Sequence, residues 1–386
     1  MLLIASESFR GAQTLTDVAR ELSFSASFFA TPEKLAELMG GQSRRVVLLT
    51  EADITGQTMI ALDDAVGRAT FAIIVAADRD ALRFSDKAEL VGELMAFDNI
   101  EWLGDSFNFD VLAASARRCR RRMLKLSRAD IENGFTDSEF VLRYQPKVER
   151  GDGGDWIACE AEALVRWRHP DLGLIGPLEF LPEIDAFGMT SRLGEYVLRR
   201  TAAQVGTWRE QGLELNACIN LSPSLLNESS LGATYESIVG EYGLKPSDFT
   251  FEIVEQDVRN PEAPHLKTLD DMRSRGFHLC LDDFRVAASS LSMFEKLPFD
   301  EIKIHAQALQ RAQDDPVALQ VLAALTGLAH NLGMTVCAEG VEDEQMFEFL
   351  KTIECDKMQG FAISEAVLPN IIQQVYAAKS SSEDAA

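Results

Sequence analysis

The chain has 386 residues, of which 46% are hydrophobic and 25% charged, and that length allows two or three domains, one of them a barrel of about 250 residues. A formal net charge of −24 excludes a nucleic-acid polymer as the expected partner, but it allows a small phosphorylated ligand wherever divalent ions reverse the local field. No apolar run approaches the roughly 20 residues of a membrane span, and MLLIAS lacks the length and basic flank of an export signal, so a cytoplasmic protein is expected.

From the N-terminus, MLLIAS, ASFFA, RRVVLL, FAIIVAA and NIEWLG are strand-like runs. TLTDVARELSF, PEKLAELMG and MIALDDAVGRA between them have helical spacing. Alternation of this kind predicts a doubly wound parallel α/β domain over residues 1–115. The pattern resembles a response-regulator receiver, which carries an acidic pair after its first strand, a phosphoacceptor aspartate after the third and a lysine after the fifth. Here Ser6, Glu7 and Ser8 follow the first strand, Glu51 and Asp53 the third, and Gly104 and Asp105 the fifth. The resemblance therefore implies a degenerate receiver-like domain for dimerisation or for docking a signalling partner, without phosphotransfer.

DVLAASARRCRRRMLKLSRADIENG reads as one long helix, with 116–137 as a basic helical linker carrying Arg117, Arg118, Arg120, Arg121, Arg122 and Lys125. In an acidic chain this run is expected to be a solvated face paired with carboxylates; an anionic partner or membrane surface is the alternative. The tail 380–386 reads as disordered, and 149–156 as a turn between two strands.

Residues 138–379 continue as strand, loop and helix. FVLRYQP, CEAEALVRW, LNACINL, FTFEIVE, HLCLDDF, FDEIKI, MTVCAEG and DKMQGFA are the strand candidates, and they fit a (β/α)8 TIM-like barrel. Their apolar runs end in Glu162, Asn220, Glu252 and Glu255, Asp282 and Asp283, Lys303, Glu339 and Gln359. Carboxylates at the ends of buried strands are costly unless cations collect them, which points to a polynuclear metal site on a barrel rim. The oxygens of Glu162, Asn220, Glu252 and Asp282 suit Mg²⁺ or Mn²⁺ rather than zinc. The six cysteines form no CxxC pair and read as buried reduced thiols.

The motifs Tyr144-Gln145-Pro146, Glu162-Ala163-Leu164 with Arg166-Trp167, Asn220-Leu221-Ser222, Glu252-Ile253-Val254-Glu255, Asp282-Asp283-Phe284, Ile302-Lys303-Ile304, Ala338-Glu339-Gly340-Val341-Glu342 and Gln359-Gly360 stand in that order. In this the chain resembles the EAL domains, (β/α)8-barrel phosphodiesterases of cyclic di-GMP, over residues 125–379. The resemblance implies two ions held by Glu162, Asn220, Glu252, Asp282 and Asp283, with Asp282 bridging them, and hydrolysis to pGpG. It also implies that Lys303 orients water or neutralises transition-state charge, that Glu339 completes the site or takes a proton, and that Gln359 holds water or a phosphate. Gln145, Leu164 and Arg166 would contact substrate, with Arg166 clamping the other phosphate, and Glu255 would anchor the loop after Phe284. A homodimer is implied as well. Trp167 reads as packing rather than as a base-stacking platform.

Departures from the family pattern gather in one region. Arg285, Val286, Ala287 and Ala288 replace a glycine-containing loop, Val254 replaces a threonine, His305 an aspartate and Ala366 a proline. A whole ligand set beside an altered loop leaves two outcomes: a weak or partner-activated phosphodiesterase, or an inactive domain that binds cyclic di-GMP as a receptor or serves as a scaffold. His305 is expected to be hydrogen-bonded rather than a metal ligand.

Overall fold

A computed structural model of the chain describes residues 2–6, 12–21, 25–39, 44–66, 71–83, 85–95, 97, 99–104, 108–124, 126–151, 156–170, 172–258, 263–284 and 299–372. By contacts it divides into Met1–Val141 with Arg166–Phe187, and Leu142–Val165 with Gly188–Ala386.

In the first unit β1 (Leu2–Ser6), β2 (Ser25–Phe29), β3 (Arg45–Thr50), β4 (Phe71–Ala76) and β5 (Ile100–Trp102) form a parallel sheet in the order β2-β1-β3-β4-β5. All five expected strands are present, in the flavodoxin-like doubly wound order. Alternation along each strand supplies both faces of the sheet. Val46 and Leu48 pack with Leu15, Val18 and Leu112, whereas Val47 and Leu49 pack with Leu35, Leu62 and Leu94. After β3, the carboxylate of Asp53 accepts hydrogen bonds from the backbone N–H and hydroxyl of Thr50, both at 2.7 Å. That side chain is committed to the turn.

The basic segment is two helices, Phe109–Leu124 and Arg128–Thr136, rather than one. Ser127 separates them because its hydroxyl accepts from the Asp130 N–H while the Asp130 carboxylate accepts from the Ser127 N–H, which starts a new helix. Ala116, Cys119 and Met123 of the first helix are buried against the sheet, so part of the expected linker is the sheet's closing helix. On its other face Arg118 and Arg122 each reach Glu101 of β5 at 2.8 Å. Also in this unit, Trp167 is fully buried against Phe140 and Phe180, and its indole N–H donates to Glu139 at 2.8 Å. Its role is packing.

Beyond these, β6 (Phe140–Arg150), β7 (Trp156–His169), β9 (Asn216–Asn220), β10 (Phe249–Val254), β11 (His278–Phe284), β12 (Glu301–Ile304), β13 (Thr335–Glu339) and β14 (Lys357–Gln359) form the barrel; the short β8 (Gly173–Ile175) only extends β7. The eight expected strands are all there, and pairing of β6 with β7 closes the ring. Strand direction differs from a uniform (β/α)8 barrel, since β6 runs antiparallel to β14, with Lys147 opposite Gln359 and Glu149 opposite Lys357. The physical reason is the connection: only 151–155 separate β6 from β7, too few for the crossover helix a parallel pair needs. Residues 152–155 of the expected turn lie outside the described residues. Apolar side chains such as Phe251 face outward onto Tyr235 and Phe277, which leaves the alternate positions to line the barrel interior.

Candidate active site

Those interior positions are polar on nearly every strand. Residues two apart on one strand share a face, so Glu160 and Glu162, Thr250 and Glu252, Glu301 and Lys303, and Lys357 and Gln359 form successive levels. Asn220, Glu339 and Gln359 end their strands, at the C-terminal rim where barrels do their chemistry.

The upper tier is organised around Glu162. One of its oxygens accepts from Asn220 Nδ2 at 2.7 Å; the other accepts from Gln359 Nε2 at 2.7 Å and Lys303 Nζ at 3.0 Å. Lys303 also donates to Glu252 at 3.2 Å and lies 3.7 Å from Asp282. Gln359 donates a second time, to Gln145 at 3.1 Å, and Gln145 in turn donates to the Ser364 carbonyl. Seven of the expected residues are thus joined in one network of contacts. Glu339, at the end of β13, lies within electrostatic range of Lys303, Asp282 and Glu162.

At Asp283 the strand has a register shift between Leu281 and Phe284 and a φ of +53°, and the carboxylate lies 3.7 Å from His305 Nε2. His305 caps the helix Ala306–Asp314, with Nδ1 accepting from the Gln307 N–H at 3.2 Å. That bond leaves the ring proton on Nε2 in the neutral form, facing Asp283. An aspartate at 305 could cap the same way, which explains how histidine is tolerated there.

Glu255 is buried at the start of the helix Glu255–Val258; the loop it was expected to anchor, including Arg285 to Ala288, lies outside the described residues. Leu164 is half-buried on β7, and Arg166, half-buried four residues beyond Glu162, falls in the first contact unit.

Below lies a second tier that the sequence analysis missed. Lys147 Nζ donates to Glu252 at 2.7 Å and Glu301 at 3.2 Å, and lies 3.9 Å from Glu160. Lys357 Nζ reaches Glu301 at 2.7 Å and Glu160 at 3.0 Å. A readable signal was present: charged residues precede the recognised ones by two in EAE, EIK and KMQ, and follow one by two in QPK. Between them Cys218, Cys280 and Cys337 are buried free thiols, pushed well above the ordinary value by burial.

The upper tier has more carboxylates than ammonium groups, and its titration reflects that. Burial raises Glu162, but the charges of Lys303 and Lys147 and the hydrogen bonds from Gln359 and Asn220 outweigh it and hold the group at about 2. Glu252 is pushed up to about 7 by burial and by the Glu162 charge, against the pull of both lysines. Glu339 is raised, chiefly by burial. Stability should follow. Glu252 has a folded value above its ordinary 4.5, so the folded chain gains a proton as pH falls from 7 towards 4.5 and stability rises through that window. Glu162 has a folded value below 4.5, so its contribution is complete above 4.5 and lost as pH falls towards 2. In thermal scans without divalent ions the midpoint is expected to climb from about pH 7.5 to 5, then drop below about 4.5. A midpoint that already falls between 7.5 and 5 would contradict this electrostatic picture.

The donor chemistry fits a hard divalent cation. Glu162, Glu252 and Asp282 supply carboxylates and Asn220 an amide oxygen, and Asp282 Oδ1 is buried with no hydrogen-bond partner. Among the described residues no three acidic, histidine or cysteine groups converge closely enough to hold an ion as they stand, and Lys303 bridges Glu162 and Glu252 instead.

Residues 128–366 match the family described as EAL domain. Among curated proteins, the chain is 35% identical over 234 residues to an uncharacterised signalling protein of Caulobacter vibrioides, covering 61% of this chain and 28% of that one. It is 30% identical over 269 residues to the cyclic di-GMP phosphodiesterase RocR of Pseudomonas aeruginosa, covering 67% of this chain and 68% of RocR. Among solved structures, the PaMucR phosphodiesterase in complex with c-di-GMP aligns with a TM-score of 0.57 at 30% identity, over 63% of this chain and 98% of that one. Most of the Caulobacter protein's length lies outside its match. Among the described residues no helix is long and apolar enough to cross a membrane.

Proposed function

The chain belongs to the EAL-domain family, and from that premise we propose that it is a phosphodiesterase hydrolysing cyclic di-GMP to the linear dinucleotide pGpG. The observation that carries this reading is Glu162 gripped by Lys303, Asn220 and Gln359 beside Glu252 and Asp282 at the strand ends.

Glu162, Asn220, Glu252 and Asp282 would hold Mg²⁺ or Mn²⁺, whose chemistry there is to acidify water and neutralise charge on the phosphodiester. Lys303, held in its charged form by the carboxylates around it, would place a buried positive charge beside the reacting phosphate. Glu339, its carboxyl raised by burial, is suited to take a proton from the attacking water. The Gln359 side-chain carbonyl is buried without a hydrogen-bond partner, and can accept from that water and orient it. Arg166 would clamp the second phosphate with its planar fork, and Leu164 and Gln145 would line the substrate.

Turnover is proposed to be low or partner-activated, because Arg285 and Ala287 stand in a loop where the family has glycine. A homodimer and a signalling partner bound by the N-terminal unit belong to this reading. Asp283, turned to His305, favours one second reading: a receptor that binds cyclic di-GMP without cleaving it.

Incubation of the purified full chain with cyclic di-GMP and Mg²⁺ or Mn²⁺ is expected to release pGpG, resolved by chromatography. Saturable binding without product supports the receptor; neither binding nor product rejects both readings.

A further inference from the structure

Glu252 belongs to both tiers of the barrel interior. Its Oε2 accepts from Lys303 above at 3.2 Å and its Oε1 from Lys147 below at 2.7 Å. Lys147 is fully buried on the antiparallel strand β6, where its backbone pairs with that of Gln359 and its side chain reaches the lower tier. It is fixed in its turn, since Glu301 accepts from Lys147 with one oxygen and from Lys357 with the other.

A glutamate's last side-chain torsion is broad, so its carboxylate plane is set by its partners rather than by rotamer preference. Here a single ammonium takes Oε1 from beneath and leaves Oε2 facing the upper tier. We propose that Lys147 is a positioning residue for the divalent-cation site, holding Glu252 by Oε1 so that Oε2 stays turned towards the upper tier, where the other candidate ligands gather. The proposal rests on the preceding reading, in which Glu252 is a ligand. Among the upper-tier groups, Lys147 hydrogen-bonds to Glu252.

A partner that orients a ligating carboxylate typically affects metal affinity by about 10–100-fold. A lysine serving only the packing of the lower tier leaves metal affinity alone, because its loss then appears only in stability. The two roles therefore separate in a binding measurement that needs no turnover.

The test is Mn²⁺ titration of the purified full chain, by calorimetry and by the electron paramagnetic resonance signal of free Mn²⁺. Lys147→Met, similar in shape and uncharged, is expected to bind Mn²⁺ about 10–100-fold more weakly. Because that variant leaves Glu301 facing an apolar side chain, Lys147→Met combined with Glu301→Gln is measured beside it and is expected to show the same loss. Glu301→Gln alone keeps the contact between Lys147 and Glu252 and is expected to stay near native affinity. Native affinity in a folded Met variant, judged by circular dichroism, overturns the proposal while the phosphodiesterase reading stands. A native chain that binds no Mn²⁺ overturns both, and so marks the failure of the underlying reading.

Discussion

Replacing Glu162 with glutamine is expected to lower release of pGpG from cyclic di-GMP by at least about 10³-fold at saturating Mg²⁺. The estimate follows from charge. Ion-assisted hydrolysis draws several kcal/mol from its ligands, and about 4 kcal/mol corresponds to about three decades of rate. Glu162 also accepts hydrogen bonds from Lys303, Gln359 and Asn220, and a glutamine would turn an N–H towards groups that are themselves donors. Lys303 keeps Glu252 and Asp282 nearby, so the fold should survive the change. Initial rates and a melting curve on the same preparation separate the two effects. Turnover within ten-fold of native would remove Glu162 from the centre of the mechanism.

The second large effect concerns Gly360, directly after Gln359. An added Cβ would lie 2.2 Å from the backbone nitrogen of Val341 and 2.3 Å from its carbonyl oxygen. Both atoms are already engaged: the Val341 N–H donates to the Gln359 carbonyl at 3.0 Å, and its carbonyl accepts from Ala362 at 2.8 Å. No side-chain rotation relieves a clash with main chain, so Gly360→Ala must displace one of the two rim loops. The expected cost is at least about 3 kcal/mol, which lowers the melting midpoint by roughly 6–12 °C. Gly206→Ala, inside the helix Thr190–Glu210 with nothing near the new methyl, is the control and should stabilise by about 0.5–1 kcal/mol. A Gly360→Ala protein melting with the native chain would show that the two loops are not locked together.

Much of this architecture was legible because strand alternation and strand-end chemistry are local properties. The apolar runs before Asn220, Asp282 and Glu339 announce strands, and their terminal polar groups announce a rim. Direction is not local: FVLRYQP reads alike in both orientations, and only the short connection to β7 makes β6 antiparallel. Neither is a one-residue irregularity. Asp282 and Asp283 are equivalent in sequence, yet the shift before Phe284 sends one towards Lys303 and the other towards His305. The lower tier was missed because Lys147, Glu160, Glu301 and Lys357 resemble solvated charges until closure of the barrel buries the first three and half-buries Lys357 beside them. The run through Ser127 has continuous helical spacing, and an N-cap there becomes visible only when the chain leaves helical geometry before it.

The reversed strand has a practical consequence for engineering. Going along β6 from Gln145 through Lys147 to Glu149, the chain descends away from the carboxylate rim, since these residues sit beside the Gln359 and Lys357 levels of β14. Arg150 and Trp156, the ends of the connection between β6 and β7, therefore stand at the barrel's floor. Added length there, such as a fluorescent reporter or an affinity handle, is expected to enter on the side opposite the Glu162 tier, where loops of different size can be exchanged without crowding the rim.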